Sequence, residues 1–297
     1  VRLMDLLGQL QVVLFLPQDV GLVTGSPSER RRFLDITLCQ VNRQYCRTLS
    51  QYNKVLEQRN VLLRQIAEGQ GNRDVLEILT EKLVELGRQI FAIRAGFFST
   101  IEDDFQQIHF EELTGGRESL HINYLPRLQP KMNGANGKEF LDDSLWLMAQ
   151  QDDLEAIGLR FAAALEAATA HDIQRGSTSI GPHRDDWRFL INGRDLGSFG
   201  SRGQQRSAIL ALKMTQINWM TELTGESPIL LLDEVLAELD ELRRRQLLRY
   251  VQKAEQAILT ATDPGMFSKE FLDSSTQLEV IQGRIQNLTS PSKSGVH

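Results

Sequence analysis

Pro228-Ile229-Leu230-Leu231-Leu232-Asp233-Glu234 constrains the fold more than any other stretch. Four large apolar residues in a row have the pattern of a strand buried on both faces, as in a parallel sheet covered by helices. Two acids follow at its carboxyl end, where α/β folds place ligands. Asp233 suits a Mg2+ ion or its waters, since one or two carboxylates plus phosphates usually hold that ion. Glu234 is placed to orient or deprotonate an attacking water. A plainer reading is a strand followed by an acidic helix start, because acids also favour helix N-termini. The stretch Phe199-Gly200-Ser201-Arg202-Gly203-Gln204-Gln205-Arg206, about thirty residues upstream, favours the nucleotide reading. Ser201 stands at the mouth of a helix-like run (Ile209, Leu212, Lys213, Ile217), where its hydroxyl can cap a backbone N–H. Gly203 lets a phosphate approach the backbone, and the positive end of the helix dipole favours an anion. Alone, Ser-x-Gly is an ordinary N-cap. With the acidic strand end and Leu239-Asp240 beyond it, the combination points to a nucleotide site.

These strings resemble a known family. Ser201-x-Gly203-Gln204 is similar to the signature motif of ABC-type ATPases, Leu230 to Glu234 to their Walker B strand, and Ala237-Glu238-Leu239-Asp240 to their D-loop. Within that superfamily the chain resembles the RecF family, bacterial recombination-repair ATPases related to SMC proteins. The residues that carry this are Ser28-Glu29-Arg30-Arg31-Arg32-Phe33-Leu34-Asp35, Gly181-Pro182-His183-Arg184-Asp185-Asp186 and the form Gly203-Gln204-Gln205-Arg206. The resemblance covers nearly the whole chain and is weakest after Asn287. It departs at Glu234, where the family usually carries a second aspartate. It implies an α/β fold: a partial ABC-type ATPase head of mixed sheet and helices, with an inserted helical arm built on a long antiparallel helix pair. The expected segments are 1–27 for the first part of the head, 28–177 for the arm, 178–287 for the signature and Walker B lobe, and 288–297 for a disordered tail.

Composition narrows the class. With 41% hydrophobic and 24% charged residues in 297, the sequence is that of a soluble globular protein. No apolar run approaches the roughly 20 residues of a membrane helix and no signal peptide is visible, which reads as cytoplasmic. The net charge of −6 argues against indiscriminate coating of DNA, so any DNA contact is expected on a confined, salt-sensitive basic surface. Cys39 and Cys46 lie on one expected helix and share a face; their spacing is not that of a zinc site, and they read as free thiols. The nearest string to a phosphate-cradling P-loop is Gly134-Ala135-Asn136-Gly137-Lys138-Glu139, which fails because Met132 and Glu139 stand where a Gly and a hydroxyl are needed. The chain also opens on Val1 and runs at once into Leu14-Phe15-Leu16. It is therefore expected to be a fragment without Walker A, inactive alone, from a weak ATPase.

Taken in order, Val12 to Leu16 reads as a strand followed by Pro17-Gln18-Asp19. By resemblance Gln18 falls at the Q-loop, reaching Mg2+ and the lytic water; locally, a proline turn is as good a reading. Pro27-Ser28-Glu29 opens a helix with Ser28 as cap. Arg30, Arg31 and Arg32 follow against the helix dipole, which favours a basic patch on DNA or nucleotide phosphate over a merely solvated helix start. From Leu34 to Ile66 helical periodicity runs unbroken for about nine turns. Gly69-Gln70-Gly71-Asn72 interrupts it, and a second helix carries Leu79 to Ile101, making an antiparallel pair. Ser119 to Leu125 reads as a strand, 126–137 as loop, and Leu145 to Ala170 as one helix. Trp187 to Ile191, Asn192-Gly193 and Arg194 to Leu196 form a hairpin. Gly181 to Asp186 is expected to be a structural turn, with Arg184 paired to Asp185 or Asp186. Arg243, Arg244 and Arg245 read as a solvated face. Gln256 to Asp263 reads as a buried strand reaching the switch position, where the resemblance puts Thr262 and Asp263 instead of the histidine of transporters. Leu278 to Ile281 with Gly283 reads as a terminal hairpin.

The resemblance implies a mechanism. Ser201, Gly203 and Gln204 of one subunit cap the γ-phosphate of an ATP held by another, with Asp240 beside the shared site, Mg2+ at Asp233 and Gln18, and Glu234 aligning water. ATP-dependent homodimerisation follows, and hydrolysis releases the dimer. By family inheritance, the dimer clamps DNA at single-strand/double-strand junctions and, with RecR, directs loading of RecA at gaps in replication and repair. An ABC transporter domain is the first rival, disfavoured by the missing histidine and the long helix pair. An SMC-like scaffold in another DNA-maintenance role is the second.

Overall fold

The computed structural model describes residues 8–129 and 138–289. In chain order its elements are β1 (Val12–Phe15), α1 (Pro27–Val41), α2 (Arg43–Ala67), α3 (Arg73–Gln107), β2 (Leu120–Leu125), α4 (Lys138–Ala149), α5 (Leu154–Arg175), β3 (Asp186–Ile191), β4 (Arg194–Asp195), α6 (Arg202–Thr224), β5 (Ile229–Asp233), α7 (Glu241–Lys253), β6 (Ala257–Thr260), α8 (Lys269–Asp273), β7 (Gln277–Ile281) and β8 (Arg284–Thr289). The expected turn 134–137 and the tail from 290 lie outside the described residues.

A parallel sheet of order β1-β5-β6 carries the acidic strand at its centre. Val13, Phe15, Leu230 and Leu232 are buried on its inner face. The other face corrects the expectation of burial on both sides. Leu14, Leu231 and Ile258 stand in register across the three strands, and Leu14 and Ile258 are 40% and 55% exposed. Strand β6, expected to be buried, alternates between half-buried and exposed positions because it lies at the sheet edge.

The helix pair forms as expected, but its first member is two helices. Asn42 breaks it: its N–H donates to the Leu38 carbonyl and closes α1, while its side chain accepts from the Tyr45 N–H (2.8 Å) and opens α2. Cys39 and Cys46 therefore sit on different helices, both as free thiols. Ser26, not Ser28, caps α1, in a capping box with Glu29 behind Pro27 at the first helical position. The expected helix 145–170 is likewise divided, because Asp153 starts α5 by accepting from the Ala156 N–H. Helix α3, at about 1.5 Å per residue, is a rod of about 52 Å. α5 packs on both α2 and α3, and Phe161 meets Phe91 edge-on at 5.3 Å. At that contact a Cβ on Gly87 would come within 2.4 Å of the Phe161 ring, so only glycine allows the approach.

β2 and β3 pair antiparallel over six residues, joining the expected arm segment to the expected head segment. The β3–β4 turn has positive φ at both Asn192 (47°) and Gly193 (75°), as a two-residue hairpin requires. Gln282 (50°) and Gly283 (77°) do the same between β7 and β8.

Candidate functional site: the carboxyl edge of the parallel sheet and the mouth of α6

Three parallel strands end together. β1 runs out into the turn Pro17–Val20, β5 into Asp233 and Glu234, and β6 into Thr260. The register therefore brings Gln18, Asp233, Glu234 and the segment 260–263 to one edge. Thr260 ties the acids down: its hydroxyl donates to Asp233 Oδ1 (2.7 Å) and accepts from the Glu234 N–H (3.0 Å). Glu234 holds φ of 51°, a left-handed conformation uncommon for a residue with a side chain. Such local strain recurs at functional sites. The turn after β1 is anchored from below. Lys213, buried in α6, donates to the Leu14 carbonyl (2.7 Å) and pairs with Asp19 (3.3 Å). Burial pulls the Lys213 ammonium below its usual range, against the pull of Asp19. Asp19 is thus occupied, while Gln18 beside it is exposed.

At the mouth of α6, the Ser201 hydroxyl accepts from the Gln204 backbone N–H (3.2 Å) and the Gln204 side-chain oxygen Oε1 accepts from the Ser201 N–H (2.8 Å). Ser201, Arg202 and Gly203 are all exposed. The first N–H groups of a helix have no partner within it, so this mouth presents donors to solvent. Gln204 also donates to Glu118 (2.8 Å), fastening the motif to the segment just before β2. Arg206 binds the Glu238 carbonyl (3.0 Å) and carboxylate (3.1 Å), which ties the start of α6 to the segment before α7. Asp240 caps α7 by accepting from the Arg243 N–H (2.9 Å).

The arginines of α7 are not simply a solvated face. Arg243 donates to Ser207 (2.7 Å), and Arg244 to the carbonyls of Leu236 and Leu239. Only Arg245, paired with Glu241 on the surface, keeps to the expectation. Arg30 is a second correction. It is 3% exposed and grips Asp186 through two bonds (2.6 and 3.0 Å) and the Gly25 carbonyl through a third, so it is withdrawn from the DNA-contact set. Arg31 is half-buried and donates to the Asp185 carbonyl (2.6 Å); Arg32 is exposed. The turn Gly181 to Asp186 is structural, but Arg184 is not the partner. Asp185 accepts from Arg94 (2.9 Å), Tyr124 (2.6 Å) and the Arg127 N–H (2.8 Å). Arg184 binds the Thr178 carbonyl instead. His183 is half-buried, held between Tyr52 (2.8 Å) and the Thr178 carbonyl (3.1 Å), and desolvation pushes its imidazole down to about 3.

Thr262 is exposed, and Asp263 spends an oxygen on the Gly265 N–H (2.8 Å) to cap the next turn. Thr260, which the sequence reading passed over, is the residue that holds Asp233. Its only signal is a hydroxyl closing a strand adjacent to the acidic one. Lys213 was read only as part of a helix, though a lysine in an apolar stripe hints at a buried partner. Among the described residues no group of three or more His, Cys, Asp or Glu surrounds a metal-sized space. Asp233 with one oxygen beyond Thr260, plus an exposed amide at Gln18, fits Mg2+, which keeps most of its waters and takes few protein ligands.

No protein-family model matches the chain. Curated relatives do. The DNA replication and repair protein RecF of Lacticaseibacillus casei is 36% identical over 285 residues, 96% of this chain and 72% of that protein. This chain belongs to the RecF family. The RecF of Herpetosiphon aurantiacus is 39% identical over 287 residues, 96% of this chain and 68% of that protein. Among solved structures, the recombination mediator protein RecF of the RecFOR pathway, described with ATPrS, superposes with a TM-score of 0.80 at 29% identity, over 96% of this chain and 70% of the other. A second, described as RecF-ATP, gives 0.78. The fold is that of a RecF-type ABC ATPase, and the exposed Ser201 mouth and the Asp233-Glu234 edge occupy a RecF-family scaffold.

Proposed function

We propose that the protein is an ATP-dependent DNA-binding protein of replication and recombinational repair, acting in the cytoplasm within the RecFOR pathway. Segments 1–27 and 178–287 serve as the ATPase head, and 28–177 as the arm. ATP joins two heads: Ser201, Gly203 and Gln204 of one protomer meet the γ-phosphate of a nucleotide bound by the other, with Asp240 alongside. Asp233 and Gln18 hold Mg2+, which when bound neutralises phosphate charge. Glu234 orients the attacking water, and Thr262 and Asp263 face the nucleotide from the strand next to it. Hydrolysis removes the γ-phosphate contacts and frees the dimer. The dimer sits at single-strand/double-strand junctions and, through RecR, assists RecA loading.

The observation that carries this reading is the exposure of Ser201 and Gly203 at a helix mouth whose donors point to solvent. A hydroxyl buried in its own core could not meet a mate. Sedimentation of the intact protein with and without ATP tests it. Ser201→Arg is expected to abolish the ATP-dependent dimer while nucleotide binding by the monomer persists, and Glu234→Gln to hold the dimer in ATP. A Ser201→Arg protein that dimerises normally would refute the capping role.

A further inference from the structure

An open cleft of about 370 Å3 lies where α1, α2 and the turn Pro182–Arg184 meet, and it shares no residue with the sheet edge. Its cations are unequal. Arg94 lies at the cleft but is 1% exposed, and its charge is answered by Asp35 (2.8 Å) and Asp185 (2.9 Å). Asp35 Oδ1 also accepts from Tyr45, and the Asp35 side chain is 25% exposed at the cleft. Arg31 has only a neutral acceptor, the Asp185 carbonyl, for one of its nitrogens. Burial pulls its guanidinium below the usual range, against the pull of Asp185 and Asp186. Arg32 is exposed beside it. Asp186 holds Arg30 through direct bonds, while Arg31 and Arg32 make no direct ion pair among the described residues. The lining also holds apolar groups, Ile36 (51% exposed) one turn beyond Arg32 on α1 and half-buried Leu49 on α2, while Asn53 and Ser28 add an amide and a hydroxyl.

Guanidinium groups, apolar side chains and an amide gathered in one cleft match the parts of a nucleotide: phosphate, base face and base edge. A base stacked in a duplex cannot reach such side chains, whereas an unstacked one can. We propose that this cleft seats one nucleotide of single-stranded DNA, its phosphate on Arg31 and Arg32 and its base against Ile36 and Leu49. The proposal rests on the DNA-binding reading above and names where an unpaired strand is held.

Fluorescence anisotropy of a labelled oligo(dT) against the intact protein, with ATP and Mg2+ and over a salt series, tests it. Arg32→Gln changes an exposed side chain, so folding is spared. It is expected to weaken binding about tenfold and to lower the salt slope by about 0.7, the share of one single-strand phosphate. Ile36→Glu, also exposed, is expected to weaken binding to a similar degree. Competition with dTMP separates the two sources of a nucleoside phosphate: the strand must bind more tightly, and equal affinity for the free nucleotide would overturn the strand assignment. Wild-type binding with unchanged affinity and slope in both variants would overturn the cleft and leave the DNA-binding reading standing. Failure of the wild-type protein to bind any DNA would overturn that reading and the cleft with it.

Discussion

Thr260 is the residue on which the acidic edge turns. Its one hydroxyl fixes an oxygen of Asp233 and the backbone of Glu234, so both acids inherit their positions from a strand they do not belong to. Thr260→Val keeps the shape and removes the hydroxyl. A hydrogen bond to a charged group contributes about 1.5–3 kcal/mol, and part of it lost from the transition state slows turnover about tenfold or more. The expected result in the intact ATPase is that fall in kcat with KM for ATP within about twofold; wild-type turnover would remove Thr260 from the site. His183 supports a prediction of another kind. Its imidazole is held neutral by burial, down to about 3 in the fold against about 6.5 when unfolded. Between those values the unfolded chain binds the extra proton, so the stabilising contribution is complete above about pH 6.5 and is lost as pH falls toward 3. The slope for one proton is about 1.4 kcal/mol per pH unit. Denaturant midpoints of wild type and His183→Gln across pH 5 to 8 are expected to converge on acidification, and parallel curves would contradict this.

Elements were legible in the sequence where local chemistry decides them. The α2/α3 pair follows from apolar spacing, the β3–β4 turn from Asn192-Gly193, and the mouth of α6 from Ser201 three residues before Gln204. They were illegible where one residue interrupts a pattern that continues. Asn42 and Asp153 cap new helices while the apolar period runs past them. A run such as Ile229 to Leu232 reads the same whether one face or both are covered, so the open face with exposed Leu14 and Ile258 flanking half-buried Leu231 had no signal. Buried ion pairs were hidden for a different reason: Arg30 with Asp186, Arg59 with Asp172 and Arg94 with Asp185 join distant segments that no periodicity relates. The Arg59–Asp172 pair is fully buried where α2, α5 and the strand of chain after α5 converge, and Arg59 also donates to Thr178 (2.7 Å). Removing one partner leaves a buried charge, which typically costs about 3–5 kcal/mol. Arg59→Met is expected to destabilise by that amount in urea unfolding. Adding Asp172→Asn should recover part of it, because the uncompensated carboxylate is gone; no recovery would mean that packing, not charge, carries the joint.

Across the whole molecule, one apolar core runs from Val13 in the parallel sheet through the helix pair to Phe271. Several links bind the expected arm segment to the expected head segment. β2 pairs with β3, the Trp187 indole N–H donates to the Arg30 carbonyl (3.0 Å), and Arg94 of α3 donates to the Pro182 carbonyl (2.6 Å). A chain divided into independent arm and head would have a polar, thinly packed seam there, and this junction instead holds the fully buried Trp187, Tyr124 and Phe98. The far end of the helix pair differs. Leu62, Leu63 and Leu76 form a separate small cluster, flanked by Ile66, Leu79 and Ile173. Little apolar area at that end means a low local cost of opening. Residues 27–224 are therefore expected to unfold in one calorimetric transition, with calorimetric and van't Hoff enthalpies in agreement. Amide exchange should show the tip near residues 62–76 opening well before that transition. Two resolved transitions would show instead that the junction is a hinge between independent units, and the arm could then not follow the head rigidly in the proposed closure of two heads on ATP.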